Sequence, residues 1–206
     1  MAIEVEHRGI IPKKDFKKIK AFFDKNAKFI EEKDRFSVIY FQSRVVRAKD
    51  AVGDAIDLKV RITNKKAELA MKHGKWGGKD ARREFLFPIE KEKFDEMVDF
   101  LKILGWTHGI TMATKTFVYK YKEIEFALVE VPKWGYYFEA EILADENTAK
   151  EADEKLEAEC KKIGLKLITD EEFYVMIDEI NSLPGMRFDF DKQDFKDIKK
   201  RFLDFF

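Results

Sequence analysis

Several short segments of the chain alternate strictly between apolar and charged residues. Residues 3–8 read Ile-Glu-Val-Glu-His-Arg, and residues 58–62 and 137–142 repeat this kind of pattern. Successive side chains of a β-strand point to opposite faces, so each segment predicts a strand with one apolar face and one charged face. The fold must therefore bury the apolar face of a sheet and stabilise many charged side chains on the opposite face, either with solvent or with opposite charges.

The charged positions of these strands form an ordered set along the chain. They are Glu4, Glu6 and Arg8; Lys59 and Arg61; Glu68 and Lys72; Arg82 and Glu84; and Glu139 and Glu141. Two arrangements fit the pattern. In the more common one, an antiparallel sheet packs its apolar face on helices and leaves its charged face to solvent. In the other, the sheet closes into a barrel with the charges inside, where metal ions and a polyphosphate would have to neutralise them.

The segments between and after the strands predict helices. Apolar residues at helical spacing follow Pro12 as far as Ile30, and residues 90–104 show the same spacing before a glycine stop. From Asn147 onward the chain reads as mostly helical, with a final amphipathic helix over residues 192–206. We expect one domain over residues 1–181, with a helical extension, residues 182–206, packed on it.

Composition narrows the classes of function. The 206 residues include 40 Lys plus Arg and 40 Asp plus Glu, so the net charge is zero. The chain therefore lacks the basic excess that is typical of nucleic-acid-binding proteins. Cys160 is the only cysteine, which excludes an intrachain disulfide and a cysteine-rich zinc site. No apolar run is long enough to span a bilayer, so we expect no membrane association and a cytoplasmic location.

The order of the charged segments resembles the CYTH superfamily, named after class IV adenylyl cyclases and thiamine triphosphatases. Residues 4–8 match its Glu-x-Glu-x-Lys signature with Arg in the last place, and residues 58–61 match a Leu-x-Val-Arg-like strand. Residues 82–84 match an Arg-Glu strand. Residues 132–141 match a Pro-x-Leu-Gly-x-Phe-x-Glu-x-Glu pattern, with Trp for Leu and Tyr for Phe. The resemblance covers about residues 1–181.

The resemblance implies an α+β fold, in which an eight-stranded antiparallel β-barrel forms a triphosphate tunnel with helices outside it. It implies Mg²⁺ or Mn²⁺ as cofactor, and the expected metal ligands are Glu4, Glu6, Glu139 and Glu141. The residues expected to bind phosphate are Arg8, Lys59, Arg61, Lys72, Arg82 or Arg83, and Lys115. Glu6 and Glu84 are the candidates for orienting the attacking water.

The implied activity is metal-dependent hydrolysis of a triphosphate, with inorganic triphosphate or a small organic triphosphate as substrate. A class IV adenylyl cyclase that makes cyclic AMP from ATP is the alternative enzyme. A protein that binds polyphosphate or a nucleotide without turnover is the alternative outside the enzymes. The terminal residues Phe202, Leu203, Phe205 and Phe206 are expected either to dock the last helix on the domain or to form a homodimer contact.

Two positions depart from the family pattern. Phe117 stands where the family has Arg, two residues after Lys115. Val129 stands where the family has Asp, with Glu130 beside it. The second departure predicts one metal ligand fewer than the family pattern supplies.

Overall fold

A computed structural model describes residues 3–41, 55–74, 79–145 and 147–206. The strands in these ranges are β1 (Ile3–Ile11), β2 (Lys28–Tyr40), β3 (Ala55–Thr63), β4 (Lys66–Gly74), β5 (Lys79–Ile89), β6 (His108–Tyr121), β7 (Ile124–Val131), β8 (Gly135–Ala144) and β9 (Arg187–Asp189). The helices in the same ranges are α1 (Phe16–Asn26), α2 (Phe94–Ile103), α3 (Ala149–Ile163), α4 (Asp170–Asn181) and α5 (Phe195–Lys199).

The first eight strands form a closed antiparallel barrel. Their order is β2-β3-β4-β5-β1-β8-β7-β6, and β2 also pairs with β6, which closes the sheet. The closing ladder is long and runs from Lys28 opposite Lys120 to Tyr40 opposite Gly109. The short strand β9 pairs with β6 over His108–Ile110, beyond the stretch where β6 pairs with β7. Closure separates one inner face of the sheet from one outer face.

The apolar faces of the strands point outward and are covered by helices. On one side, Phe23 of α1 and Leu156 of α3 pack on Phe126 and Phe138, and all four side chains are fully buried. This packing places the charged faces inside the barrel. Of the two arrangements that the alternation allows, the molecule therefore adopts the closed barrel, and the solvent-exposed sheet is wrong.

A second core covers the outside of β2 and β3. In this core, Phe94 of α2 and Phe195 of α5 pack with Phe36 and Val60 of the strands. Phe36 and Val60 are completely buried. The C-terminal residues thus cover part of the outer face of the barrel. The domain boundary at residue 181 stays a prediction, although the extension does pack on the barrel.

Two helices are shorter than the sequence indicates. Helix α1 ends at Asn26, and Ile30 already belongs to β2. The predicted final helix over residues 192–206 consists of the short helix α5 and a 3-10 turn at Leu203–Phe205. In the described part of the chain, no helix combines the length and apolar character needed to cross a membrane.

Candidate functional site

The barrel encloses a cavity of about 260 Å³ lined by charged side chains from most of its strands. The basic residues that line it are Arg8, Lys33, Arg35, Lys59, Arg61, Lys72 and Arg82. The acidic residues that line it are Glu4, Asp57, Glu84, Glu125, Glu139 and Glu141. Such a mixture can neutralise a ligand that carries both phosphate groups and metal ions.

Strand β1 directs Glu4, Glu6 and Arg8 to the inside of the barrel, because residues two apart on a strand share a face, and Glu4 and Arg8 line the cavity. Its neighbour β8 adds carboxylates at the same level, with Glu141 opposite Glu6 and Glu139 opposite Arg8. Glu6 is 1% exposed and Arg8 is 5% exposed. The two matched sequence segments are thus adjacent strands of one site.

Three carboxylates converge at this level. Oxygen atoms of Glu4, Glu6 and Glu141 all lie within 4.8 Å of one another. Like charges at this spacing repel, and they stay together only where cations or bound protons compensate them. An all-oxygen set of carboxylates suits Mg²⁺ or Mn²⁺, so these three side chains fit the expected metal.

The pKa values of Glu6 and Glu141 are shifted in opposite directions. Burial alone would raise the pKa of Glu6, but Arg8, Lys72 and Arg82 together hold that pKa well below its ordinary value. Burial, followed by the neighbouring Glu4 carboxylate, raises the pKa of Glu141 to about 10. Glu141 therefore carries a proton at neutral pH, which a metal ion would displace.

Lysine and arginine side chains surround the carboxylates. Lys72 Nζ lies 2.5 Å from a Glu4 oxygen and 3.2 Å from a Glu6 oxygen. Arg8 Nη2 lies 2.5 Å from Glu6 Oε1. Although burial would lower the pKa of Lys72, Glu6 and Glu4 raise it, so the amine stays charged. A metal ion at the carboxylates would release Lys72 for another anion.

A second set of charge pairs lines the wall formed by β3, β4 and β5. Asp57 lies 2.9 Å from Lys59 and 3.4 Å from Arg82. Arg61 donates to Glu68 at 2.7 Å and lies 3.7 Å from Glu84. Each of these cations therefore has a carboxylate close by on the same wall.

Lys115 and Arg83 lie outside the cavity. Lys115 pairs with Glu32 at 2.6 Å on the outer surface, where both side chains are about two-fifths exposed. Arg83 is exposed and lies over the Phe85 ring. Each is one residue out of phase with its cavity-lining neighbour, Thr116 or Arg82. The assignment of Lys115 to phosphate binding does not fit this geometry, and Arg82 is the member of the arginine pair that does.

Glu139 and Glu84 face the cavity but lie outside the group of three carboxylates. Glu139 Oε1 is 3.4 Å from Arg8 Nε, and burial, followed by Glu6, raises the pKa of Glu139. Glu84 lines the cavity beside Arg61 and is exposed to solvent.

The two departures from the family pattern have different consequences. Phe117 points outward and packs against Phe16 of α1, with ring centroids 6.3 Å apart. It therefore removes no cation from the cavity. Val129 is 3% exposed and lines the cavity, so an apolar side chain occupies that inner position.

Four charged residues of the cavity are absent from the sequence-based set. Lys33 and Arg35 lie on β2 in a stretch that was expected to follow a longer helix, Asp57 lies on β3, and Glu125 lies on β7. The alternation of Lys33, Arg35 and Ser37 is the signal that could have revealed the first two. Burial, followed by Arg61, lowers the pKa of Arg35, and its Nε donates to Thr63 at 2.9 Å.

Helix α4 lies across one end of the cavity. Phe173, Met176, Ile177 and Ile180 of this helix line it. The Arg8 guanidinium lies 5.1 Å from the centroid of the Phe173 ring, within cation–π range. The helix thus contributes apolar groups to a site that is otherwise built from strands.

A second group of side chains that could hold a metal ion lies away from the cavity. His108, Asp189 and Asp191 come together where β9 pairs with β6, and their ligand atoms lie within 4.8 Å of one another. His108 Nδ1 is 2.7 Å from Thr107 Oγ1, and Asp189 pairs with Lys192 at 2.9 Å.

The sequence and the fold are similar to known proteins. A family model described as "CYTH domain" matches residues 2–174. No curated protein matches the chain. The solved structure of a conserved hypothetical protein from Pyrococcus furiosus is 25% identical, with a TM-score of 0.64 over 79% of this chain and 91% of that chain.

Two more distant structures share the fold. One is a Pyrococcus horikoshii protein that is 19% identical, with a TM-score of 0.67 over 85% of this chain and 99% of that one. The other, from Hippeastrum, is described as a candidate adenylyl cyclase with a dominant triphosphatase activity. It is 13% identical, with a TM-score of 0.59 over 89% of this chain and 97% of its own.

Proposed function

The chain belongs to the CYTH domain family, and we propose that it hydrolyses inorganic triphosphate or a small organic triphosphate with Mg²⁺ or Mn²⁺. One observation carries the proposal. The carboxylates of Glu4, Glu6 and Glu141 converge inside the barrel, whose cavity is lined by seven buried or half-buried cations. The five of them that the sequence pattern also indicates are Arg8, Lys59, Arg61, Lys72 and Arg82. Metal-bound triphosphate is a ligand that compensates both sets of charges.

Glu4, Glu6 and Glu141 would hold the metal ion. A divalent ion bound there supplies positive charge to the phosphate oxygens and lowers the pKa of water. The low pKa of Glu6 keeps this carboxylate ionised, which suits a metal ligand better than a proton acceptor. Glu139 lies beside this group and is the candidate for an additional ligand, although burial and the Glu6 carboxylate raise its pKa.

The cations would bind and orient the phosphate chain. Arg8, Arg61 and Arg82 can each donate two parallel hydrogen bonds to phosphate oxygens. Lys59 and Lys72 act as point charges, and Lys72 would be free to bind phosphate if Glu4 and Glu6 held a metal ion instead. Phosphoryl transfer depends mainly on such positioning and neutralisation of charge.

Water must attack the terminal phosphorus in line with the bond that breaks. Glu84 lines the cavity, is open to solvent and lies beside Arg61, so we assign it to orienting that water. The phosphoanhydride bond then breaks, and inorganic triphosphate yields orthophosphate and diphosphate.

An adenylyl cyclase is the second candidate. In that reaction the ribose 3′-hydroxyl of ATP attacks the α-phosphorus and diphosphate leaves. The same metal ligands and cations would serve, and the Hippeastrum protein is described in terms of both activities. A protein that binds the same ligands without turnover is the third candidate, and it is favoured by Val129 at an inner position where the family has Asp.

Product analysis separates the three candidates. The protein is incubated with inorganic triphosphate or with ATP, in Mg²⁺ or Mn²⁺, and followed by phosphorus NMR. We expect orthophosphate and diphosphate from triphosphate. Cyclic AMP and diphosphate from ATP would identify a cyclase instead. Unchanged spectra for both substrates with both metals would contradict an enzymatic function.

We propose a cytoplasmic location, a triphosphate small molecule as the partner, and no nucleic-acid or membrane partner. A homodimer contact at the C-terminus would have to use the exposed Leu203, because Phe202, Phe205 and Phe206 pack against the second core.

A further inference from the structure

A group of side chains outside the cavity joins two distant parts of the chain. His108 begins β6 and Asp189 ends β9, and these two residues are paired across the antiparallel strands. Asp191 follows two residues later, in the turn after β9. None of the three residues lines the cavity, so the proposed triphosphate site makes no use of them. We call these three residues the His108 cluster.

The two ring nitrogens of His108 have different surroundings. Nδ1 lies 2.7 Å from Thr107 Oγ1. Nε2 is shielded from solvent, and in the described part of the chain no atom forms a hydrogen bond with it. A buried polar atom without such a partner costs free energy, which a bound ligand would recover. Nε2 therefore points to a ligand that the protein itself does not supply.

Two carboxylates face this nitrogen. Asp189 Oδ1 lies 3.2 Å from His108 Nε2 and Asp191 Oδ2 lies 3.9 Å from it, without the geometry of a hydrogen bond. When Nδ1 donates to Thr107, Nε2 presents a lone pair, which two negatively charged oxygens repel. A positive ion between the three atoms turns this repulsion into attraction. The His108 cluster thus has the charge and the ligand atoms of a cation site.

The separations of these atoms suit a small divalent metal ion. Zn²⁺ binds imidazole nitrogen and carboxylate oxygen at about 2.0–2.2 Å, so two ligand atoms of a tetrahedral Zn²⁺ lie about 3.3 Å apart. The 3.2 Å between His108 Nε2 and Asp189 Oδ1 is close to this value. Because the Asp191 side chain is about half exposed, a small rotation shortens its 3.9 Å separation from Nε2.

Neighbouring groups orient the ligand atoms. In metal sites a histidine ligand typically donates its second ring N–H to an oxygen atom, and Thr107 Oγ1 lies in that place. Lys192 lies 2.9 Å from Oδ2 of Asp189 and leaves Oδ1 directed at His108. The Lys192 side chain is 82% exposed, so this ion pair contributes little and does not take the place of a metal ion.

We propose that the His108 cluster binds a Zn²⁺ ion, which fastens the C-terminal segment to the barrel. Imidazole favours Zn²⁺ over Mg²⁺, and two carboxylates balance the charge of a divalent ion. Strand β9 pairs with β6 over three residues, and Phe188 and Phe190 on either side of Asp189 belong to the second core. The ion adds a link where few backbone hydrogen bonds hold the two strands together. This site is independent of the proposed triphosphate chemistry and stabilises the fold.

Nuclear magnetic resonance of the histidine ring nitrogens tests the site directly in the wild-type protein. The chain has three histidines, and none of them lines the cavity, so an ion bound in the cavity is not ligated by a histidine. Zn²⁺ is titrated into chelator-treated protein, and the signals missing in His108→Asn are assigned to His108. Two equivalents of Zn²⁺ should shift the Nε2 signal of His108 far more than the signals of His7 and His73.

The affinity of the site is measured by competition with a chromogenic chelator. The measurements use a Glu4→Ala, Glu6→Ala background, in which the cavity ligands are removed. There, His108→Asn should weaken Zn²⁺ binding at least about 100-fold and Asp191→Asn at least about tenfold, because loss of an outer-shell partner alone costs about 10- to 100-fold. Asp197→Asn, at an exposed aspartate of α5, is the control and should keep the affinity.

Urea unfolding tests the structural role of the ion. Zn²⁺ should raise the midpoint of unfolding in the background protein and in Asp197→Asn, and leave it unchanged in Asp191→Asn. Asp191 is about half exposed, so this variant keeps the comparison valid even where His108→Asn does not fold. A His108 signal that Zn²⁺ does not shift, or equal Zn²⁺ affinities in Asp191→Asn and Asp197→Asn, would overturn the inference. A protonated His108 that pairs with the two aspartates without a metal ion would give both of these results.

Discussion

Glu6 and Glu141 are paired across neighbouring antiparallel strands, and both face the inside of the barrel. Two like charges directly opposite each other destabilise a sheet. The protein tolerates the pair because Glu6 is held ionised by Arg8, Lys72 and Arg82, while Glu141 retains a proton. A divalent cation bound by the two carboxylates would compensate both charges.

The metal content should be about one tightly bound Mn²⁺ per chain in the absence of substrate, because three convergent carboxylates form one site and Val129 supplies no ligand. Electron paramagnetic resonance counts the bound ions. Glu141→Gln should weaken binding at least about tenfold, as expected when one charged ligand is lost. His108→Asn serves as the control, since it removes the second group of ligands outside the cavity. Two equally tight ions that persist in His108→Asn would contradict this prediction.

The stability of the metal-free protein should depend on pH through Glu141. Its pKa rises from 4.5 to about 10 on folding, so the folded state keeps a proton that the unfolded state loses in between. The stabilisation is complete below about pH 4.5 and is lost as the pH rises towards 10. Glu141→Gln cannot titrate, so it should gain stability relative to the wild type between pH 5 and 9, by at most about 1.4 kcal/mol per pH unit.

Urea unfolding in the presence of a chelator measures this difference. Glu154→Gln is the control, because Glu154 is an exposed residue of α3 and its substitution should leave the pH dependence unchanged. Parallel stability profiles for the wild type and Glu141→Gln would show that Glu141 titrates normally.

Substitution of Arg82 should lower catalytic activity far more than substitution of Arg83, although the two residues are adjacent in sequence. Arg82 is 2% exposed and faces the cavity, whereas Arg83 faces outward. Arg82→Gln should lower kcat/KM for triphosphate about 10- to 100-fold, the loss expected for a charge-assisted hydrogen bond. Arg83→Gln should change it less than about twofold. Steady-state kinetics measure both, with circular dichroism to confirm folding, and equal losses would contradict the assignment of faces.

The C-terminal residues should contribute to the stability of the barrel. Phe195 is 4% exposed and packs against Phe94, with ring centroids 5.8 Å apart. Phe195→Ala should lower the free energy of unfolding by about 3–5 kcal/mol, because it leaves a cavity in the second core. Leu203→Ala, at a side chain that is 60% exposed, should cost less than about 1 kcal/mol. Comparable losses in chemical denaturation would contradict a specific role for Phe195.

Part of this architecture could be predicted from the sequence. Strict alternation identified β1, β3 and β8 and assigned Glu4, Lys59 and similar residues to one face. Alternation could not show whether that face pointed to solvent or inward. That choice depends on the pairing of β2 with β6, between residues far apart in the chain. The family resemblance, rather than the pattern, indicated the closed barrel.

The differences between the predicted and the observed cavity residues have a local cause. The side-chain period of a strand is two, so a shift of one residue moves a side chain to the opposite face. Lys115 was placed inside on the basis of its order in the family pattern, whereas Thr114 and Thr116 are the inward residues of β6. Arg35 was missed because residues 28–34 are mostly charged and lie next to a predicted helix. The apolar side chains that α4 contributes to the cavity depend on how this helix packs on the barrel, which strand patterns do not report.

Phosphate release from inorganic triphosphate is the most direct test of the central claim, that the carboxylates on β1 support metal-dependent hydrolysis. The rate is measured with Mg²⁺, with Mn²⁺ and with chelator, for the wild type and for a Glu4→Ala, Glu6→Ala double variant whose folding is verified. We predict metal-dependent turnover by the wild type and a loss of at least about 100-fold in the variant. Absence of turnover by the wild type with either metal, or an equal rate in the variant, would contradict the claim.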